Sequence, residues 1–209
     1  IILLFGPTAS GKSTLALDIA KKFNGEIINA DSMQIYKEIK ILSARPNEKM
    51  VKHHLYGLVS VKDNFSVGLW YKLAAKKIKE INKKGKKAIV VGGTGLYFKV
   101  LTEGLSEIPE TSKIDLNLSA ADRIHLRNSY SRRYPGIFKG ISVNDKQRLY
   151  RAISVYEHTG TALWEWYKKK NKKKYFKSNE FIKVCLNPPK SELENRIKER
   201  FNVMLKNGA

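Results

Sequence analysis

Apolar residues fall into two alternating patterns along this chain. Ile1 to Phe5 is a continuous apolar run closed by Gly6-Pro7, which predicts a buried parallel strand. A helix is expected from Ser13 to Lys22, with Leu15, Ala16, Ile19, Ala20 and Phe23 on its inner side. Glu26 to Ala30 reads as a second strand, ending on Asp31. From Ser66 as N-cap, Leu69, Trp70, Leu73, Ala74, Ile78 and Ile81 recur at helical spacing, lysines fill the remaining positions, and Gly85 ends the helix. Ala88 to Val91 is a third strand stopped by Gly92-Gly93, and another helix begins near Leu96. Strands alternating with helices predict an α/β fold with a mainly parallel sheet.

Beyond Ile108-Pro109 the strand pattern stops, and six of the nine arginines gather: Arg123, Arg127, Arg132, Arg133, Arg148 and Arg151. A small helical insertion is expected over 110–139, set into a core formed by 1–109 and 140–209. Val143-Asn144-Asp145 starts a helix with Leu149, Ala152, Ile153 and Tyr156 inward and Gly160 as its stop. Lys168 to Lys174 reads as a solvated loop or, alternatively, a phosphate contact. Phe181 to Leu186 is the last strand, and Pro188-Pro189 opens a helix with Leu193, Ile197, Phe201 and Met204 inward. The chain begins inside an apolar run and stops just after a helical stretch, so both ends are expected to be trimmed and further C-terminal residues missing.

Composition adds limits. A length of 209 residues with 42% hydrophobic content suits one or two domains with a true core and excludes wholesale disorder. One cysteine excludes a disulfide-stapled scaffold and predicts a reducing cytoplasmic setting, with Cys185 in the core. Ile1 to Phe5 is too short for a signal peptide, and no run approaches the roughly 18 apolar residues of a membrane span, so a soluble protein is expected; a monomer is the expected state, though nothing in the sequence fixes it. The net charge of +21 points to a polyanionic partner, but only nine of the 40 cations are arginine. Lysine-rich compositional drift therefore stands beside nucleic-acid binding as an explanation of that charge.

The chemistry enters with Gly6-Pro7-Thr8-Ala9-Ser10-Gly11-Lys12-Ser13, which fits G-x-x-x-x-G-K-[ST] between a strand and a helix, the context that pattern requires. Backbone N–H groups and the helix N-terminus attract phosphate, Lys12 adds a point charge, and Ser13 is the expected Mg²⁺ ligand. A diphosphate or polyphosphate with Mg²⁺ is the predicted ligand. Working loops of open α/β sheets lie past the carboxyl ends of strands, which puts Asp31 and Thr94 near this loop. The third strand ends in Gly-Gly-Thr instead of the acid an ordinary P-loop nucleotidase uses, so Asp31 is the acidic group left for chemistry; its plainer role is a turn or cap. Arg196 and Arg200, four apart on the last helix, form a solvated basic face, or one of them, with Arg200 favoured, reaches the diphosphate. His53-His54 has no further His or Cys at ligand spacing, so a structural or substrate-loop role is expected over zinc.

Six ordered motifs then make a resemblance specific. They are Gly6 to Ser13, Asp31-Ser32-Met33-Gln34-Ile35-Tyr36, His53-His54-Leu55, Gly92-Gly93-Thr94-Gly95-Leu96-Tyr97, Asn144 to Arg151, and Pro188-Pro189 to Arg200. Over nearly its whole length the chain resembles the tRNA dimethylallyltransferases, which prenylate the adenine 3′ of the anticodon. Two departures stand out: Asn128 to Lys139 does not follow the family pattern, and the family normally continues past Ala209. The resemblance implies a P-loop NTPase-like core and dimethylallyl diphosphate as donor. It implies Gly6 to Ser13 on the diphosphate, Mg²⁺ on Ser13, and Asp31, Thr94 and Lys12 in catalysis. It further implies tRNA contacts from Asp31, Ser32, Met33, Gln34, Thr94, Gln147, Arg148, Leu149, Tyr150 and Arg151, with the anticodon stem-loop as partner. The target adenine would flip out of its stack to react.

Three other readings remain at this point. An adenylate isopentenyltransferase uses the same type of loop on free AMP or ADP, but needs no arginine-rich surface. A P-loop small-molecule kinase would consume ATP. A non-catalytic RNA-binding relic would bind without turnover.

Overall fold

The computed structural model describes residues 1–46, 50–111, 118–169 and 172–209. They group into two compact units, Ile1–Gly104 with Lys174–Ala209, and Leu105–Lys173.

The first unit is built on a five-stranded parallel sheet. Its strands are β1 (Ile2–Phe5), β2 (Gly25–Asn29), β3 (His53–His54), β4 (Lys87–Gly92) and β7 (Ile182–Cys185), in the order β3-β2-β4-β1-β7. Helices α1 (Lys12–Lys22), α2 (Val67–Lys83) and α3 (Gly95–Glu103) connect them, and α7 (Lys190–Lys206) closes the chain. Leu4, Ile27, Ile89 and Val91 form one cluster with Ala16 and Ala20 of α1. Strand alternation turns Leu3, Ile28 and Val90 to the other face, where α2 buries Trp70, Tyr71, Ala74, Ala75, Ile78 and Ile81. Each large apolar side chain buried this way contributes about 1.5–3 kcal/mol. Ser66 caps α2 as its sequence position predicts, accepting the Leu69 N–H at 3.1 Å.

Three expectations about inward residues are corrected. Phe23 is 50% exposed, because it lies past the last turn of α1, with the Lys22 ammonium over its ring. Cys185 is exposed, because β7 is an edge strand. Ile197 and Phe201 are also exposed, and Leu193 and Met204 are only half-buried, because α7 follows that edge strand and buries no residue fully.

The second unit contains α4 (Ala120–Arg133), α5 (Lys146–Thr159), α6 (Leu163–Lys168) and a two-stranded antiparallel ribbon, β5 (Leu105–Ser106) with β6 (Lys172–Lys173). It is larger than the expected 110–139 insertion. The reason is packing: Leu149, Ala152, Ile153 and Val155 of α5 and Leu163 of α6 share one core with Ile137 and Phe138. The helix assigned from sequence to the main core therefore belongs to this unit. Residues 112–117 of the expected insertion lie outside the described residues.

Candidate active site

The loop between β1 and α1 runs from Gly6 to Gly11, with Lys12 and Ser13 opening the helix. Gly6 is required by a close approach: a Cβ there would lie 2.3 Å from the Leu186 carbonyl oxygen. Gly11 is left-handed at φ 88° and turns the chain into α1. Ser10 is buried, whereas Pro7, Thr8 and Ser13 are exposed at the loop surface. The Lys12 ammonium folds back over the loop, donating to the carbonyls of Gly6 at 3.0 Å and Pro7 at 2.5 Å and to Ser10 Oγ at 3.2 Å. Burial pulls the Lys12 ammonium below its ordinary pKa; Asp31 opposes this and Arg200 adds to it. The loop lysine, the acid after β2 and an arginine of α7 thus share one electrostatic neighbourhood.

Arg196 reaches the same loop more directly. Its Nη1 donates to the Ala9 carbonyl at 3.4 Å, while Nη2 is paired with Glu192 one turn earlier. Arg196 therefore touches the phosphate loop, while Arg200 is linked to it only by its electrostatic effect on Lys12.

Asp31 follows β2, and Thr94 follows β4. These tips can meet because Gly92 has no side chain: a Cβ there would fall 2.1 Å from the Ala30 carbonyl. Thr94 N–H donates to the Ala30 carbonyl at 3.2 Å, and its hydroxyl oxygen accepts the Ser32 N–H at 2.9 Å. Asp31 Oδ1 accepts the Met33 N–H at 2.9 Å, which is the plainer turn role. Behind Asp31, Tyr97 stacks on Trp70 with centroids 4.2 Å apart, and burial, with Tyr36 and Asp31, pushes its phenol up to about 12. Burial likewise raises the Tyr56 phenol, with Asp31 adding to it. Both rings are neutral walls near neutral pH.

Gln34 spends its amide N–H groups on the carbonyls of Ser43 at 2.9 Å and Ala44 at 3.3 Å. Only its carbonyl oxygen is left for a partner, which narrows the expected adenine reading to an acceptor. Met33 is 54% exposed beside it.

The α5 residues lie in the second unit. Gln147 and Arg148 are exposed, with Arg148 Nη1 paired to the N-cap Asp145 at 2.5 Å. Arg151 is half-buried and donates to Thr111 Oγ1 at 2.6 Å. Leu149 and Tyr150 are 0% and 5% exposed in that unit's core, where they anchor the helix. Arg127 is also structural: it donates to the Ile141 carbonyl at 2.9 Å and lies over the Phe138 ring. Arg132 and Arg133 are exposed at the end of α4. In the lysine run, Lys168 and Lys169 lie over Trp164 and Trp166, Lys173 pairs with Glu107 at 3.9 Å, and residues 170–171 are outside those described.

His53-His54 is a short strand, β3. His53 Nδ1 lies 2.8 Å from the Val51 carbonyl, and His54 Nε2 lies 2.7 Å from Glu26. Among the described residues no cluster of three or more His, Cys, Asp or Glu side chains could hold a metal, and no helix is long and apolar enough to cross a membrane. Sequence reasoning passed over Asn29, whose side chain brackets Asp31. The available signal was a polar residue following Ile27-Ile28 at the end of the strand, two positions before Asp31.

Residues 34–209 match the family described as IPP transferase, and residues 1–57 match that described as isopentenyl transferase. A tRNA dimethylallyltransferase of Pelagibacter ubique is 44% identical over all of this chain, which spans 69% of that protein. One from Hyphomonas neptunium is 39% identical, with 68% of its length spanned. Among solved structures, a eukaryotic dimethylallyltransferase acting on tRNA superposes with a TM-score of 0.78 at 28% identity, covering 100% of this chain and 53% of its own. The full-length tRNA isopentenylpyrophosphate transferase of Bacillus halodurans gives a TM-score of 0.62 at 26% identity, covering 99% of this chain and 66% of its own.

Proposed function

The chain belongs to the IPP transferase family, and from that premise we propose that it transfers a dimethylallyl group from dimethylallyl diphosphate to the exocyclic N6 of the adenine 3′ of a tRNA anticodon. The observation that supports this reading is the tie between the strand ends that carry Asp31 and Thr94, with Thr94 holding the Ser32 N–H and Asp31 acting electrostatically on Lys12 of the phosphate loop.

In the reaction, the allylic C–O bond of the donor breaks, diphosphate leaves with its electron pair, and N6 forms a bond to the allylic carbon. The amine proton passes to the Asp31 carboxylate, a general-base contribution of roughly 10²- to 10⁴-fold. Charge accumulating on the diphosphate meets the loop N–H groups and Lys12, whose ammonium is released from its carbonyl contacts to the incoming oxygens. Arg196 and Arg200 approach that anion from α7. Thr94 fixes the loop that carries Asp31. Ser13 offers one hard oxygen, and among the described residues no acidic cluster competes with it, so Ser13 is the residue that would hold Mg²⁺. When bound, Mg²⁺ lends positive charge to the leaving group. Gln147, Arg148 and the exposed arginines of α4 are assigned to the RNA, with phosphate contacts from Arg and base-edge contacts from Gln.

The test is incubation with labelled dimethylallyl diphosphate and either an anticodon stem-loop or AMP, followed by mass analysis of the nucleosides. Prenylated adenosine in the stem-loop is the expected product. Modification of AMP alone would make the chain an adenylate isopentenyltransferase, and ATP-coupled phosphorylation without prenyl transfer would make it a kinase.

A further inference from the structure

Asn29 is a buried polar residue with no part in the chemistry just described. It closes β2 at 0% exposure, and both polar atoms of its side chain are engaged. Oδ1 accepts the Asp31 N–H at 2.8 Å, and Nδ2 donates to the Asp31 carbonyl at 2.9 Å and to the Leu55 carbonyl at 3.0 Å. Its own backbone carbonyl accepts the Trp70 indole N–H at 2.8 Å.

Only a carboxamide satisfies this set. A carboxylate would set an acceptor against two carbonyls, and a hydroxyl has a single hydrogen to give. The side chain therefore grips residue 31 by both its N–H and its C=O. Through Leu55, a non-glycine residue held at φ 63°, it also ties the end of β2 to the loop after β3. Residue 31 stands past the last sheet pairing of β2, so these side-chain bonds replace the ladder that fixes the strand itself. With Asp31 Oδ1 already turned onto the Met33 N–H, the carboxylate takes its direction from this backbone.

We propose that Asn29 is a positioning residue: it aims the Asp31 carboxylate by clamping both polar groups of the Asp31 backbone, and touches no substrate. The inference rests on the reading of Asp31 as the base in prenyl transfer.

Asn29→Ala should lower kcat about tenfold to a hundredfold, the scale set by small misplacements of a catalytic group. The KM for dimethylallyl diphosphate should change by less than about threefold, because Gly6 to Ser13 is left intact. In an Asp31→Ala background the same substitution should cost almost nothing more, since there is no carboxylate left to aim. Equal losses in both backgrounds would overturn the proposal in favour of general damage to the fold. A second arm does not use turnover. Exchange of the Asp31 amide, followed by NMR, should be at least about tenfold faster in Asn29→Ala, while amides of β1 and β4 keep their protection. Unchanged exchange at Asp31 would also overturn the clamp. A wild-type protein that transfers no prenyl group counts against the reaction, and the exchange arm still decides the role of Asn29. If Asn29→Ala does not fold, Asn29→Ser carries both arms.

Discussion

The hydroxyl oxygen of Thr94 accepts the backbone N–H of Ser32 at 2.9 Å, joining residues 62 positions apart. Thr94 is the N-cap of α3, yet its hydroxyl makes no cap bond to that helix and turns to the Asp31 loop instead. The start of α3 gives up a local stabilising contact so that the tips of β2 and β4 are tied together.

Thr94→Val keeps the volume and removes the acceptor. It should leave the Ser32 N–H unpaired, loosen the Asp31 loop and reduce prenyl transfer about tenfold, the order expected for a lost hydrogen bond of 1–2 kcal/mol. Thr94→Ser should restore most of the rate in single-turnover measurements. A valine variant with wild-type turnover would reduce Thr94 to a helix-start residue.

The parts of this site that were legible in the sequence are those whose chemistry is local. Gly6 to Ser13 declares itself because a phosphate loop needs fixed spacing between a strand and a helix. Asp31 and Thr94 followed from the rule that strand ends carry function, applied to apolar runs that are strands in the structure. What was hidden depends on partners remote in sequence. β3 is two histidines with no periodicity of its own, and it exists because Ile27 and Ile28 of β2 offer an edge. Arg127 and Arg151 read as free cations until Ile141 and Thr111 come to meet them. Cys185 looked like core because sequence does not say which strand is last in the sheet.

Asp31→Ala removes the proposed proton acceptor from a side chain whose other bond is to the nearby Met33 N–H. Turnover should fall by about two orders of magnitude or more, with little change in stem-loop affinity, because the phosphate-contacting surface is untouched. Filter binding and single-turnover kinetics on the same preparation separate the two. Unchanged turnover would take Asp31 out of the base role.

Glu26 is 1% exposed on β2 and accepts from His54 Nε2 at 2.7 Å and from Lys86 Nζ at 2.9 Å. Burial acts to raise its pKa, but the hydrogen bonds from Lys86 and His54 outweigh it and bring the carboxyl from 4.5 to about 2. A folded-state value below the unfolded one stabilises the native protein above pH 4.5, and that stability is lost as pH falls toward 2. Glu26→Gln should therefore unfold at lower denaturant than wild type at pH 7, and the difference should shrink steadily from pH 4.5 downward. A gap independent of pH would mean that the ion pairing contributes nothing and only shape matters.

The arginines of the second unit divide into two groups that salt titration can tell apart. Arg127 is bound through Nη2 to the Ile141 carbonyl and packed on Phe138, and its unpaired Nη1 is buried out of reach of a phosphate. Arg127→Gln should lower stability by about 1–3 kcal/mol, as expected for breaking a partly buried charged hydrogen bond, and leave the salt dependence of stem-loop binding as it was. Arg132 and Arg133 are exposed at the C-terminal end of α4, where the helix dipole attracts cations. Replacing both with Gln should leave the melting temperature nearly unchanged. If each holds one phosphate, the slope of log affinity against log salt should drop by about 0.7 for each arginine lost, the single-strand value. A slope unaltered by the double substitution would return the exposed charge to composition alone and leave Gln147 and Arg148 as the residues of this unit still assigned to RNA.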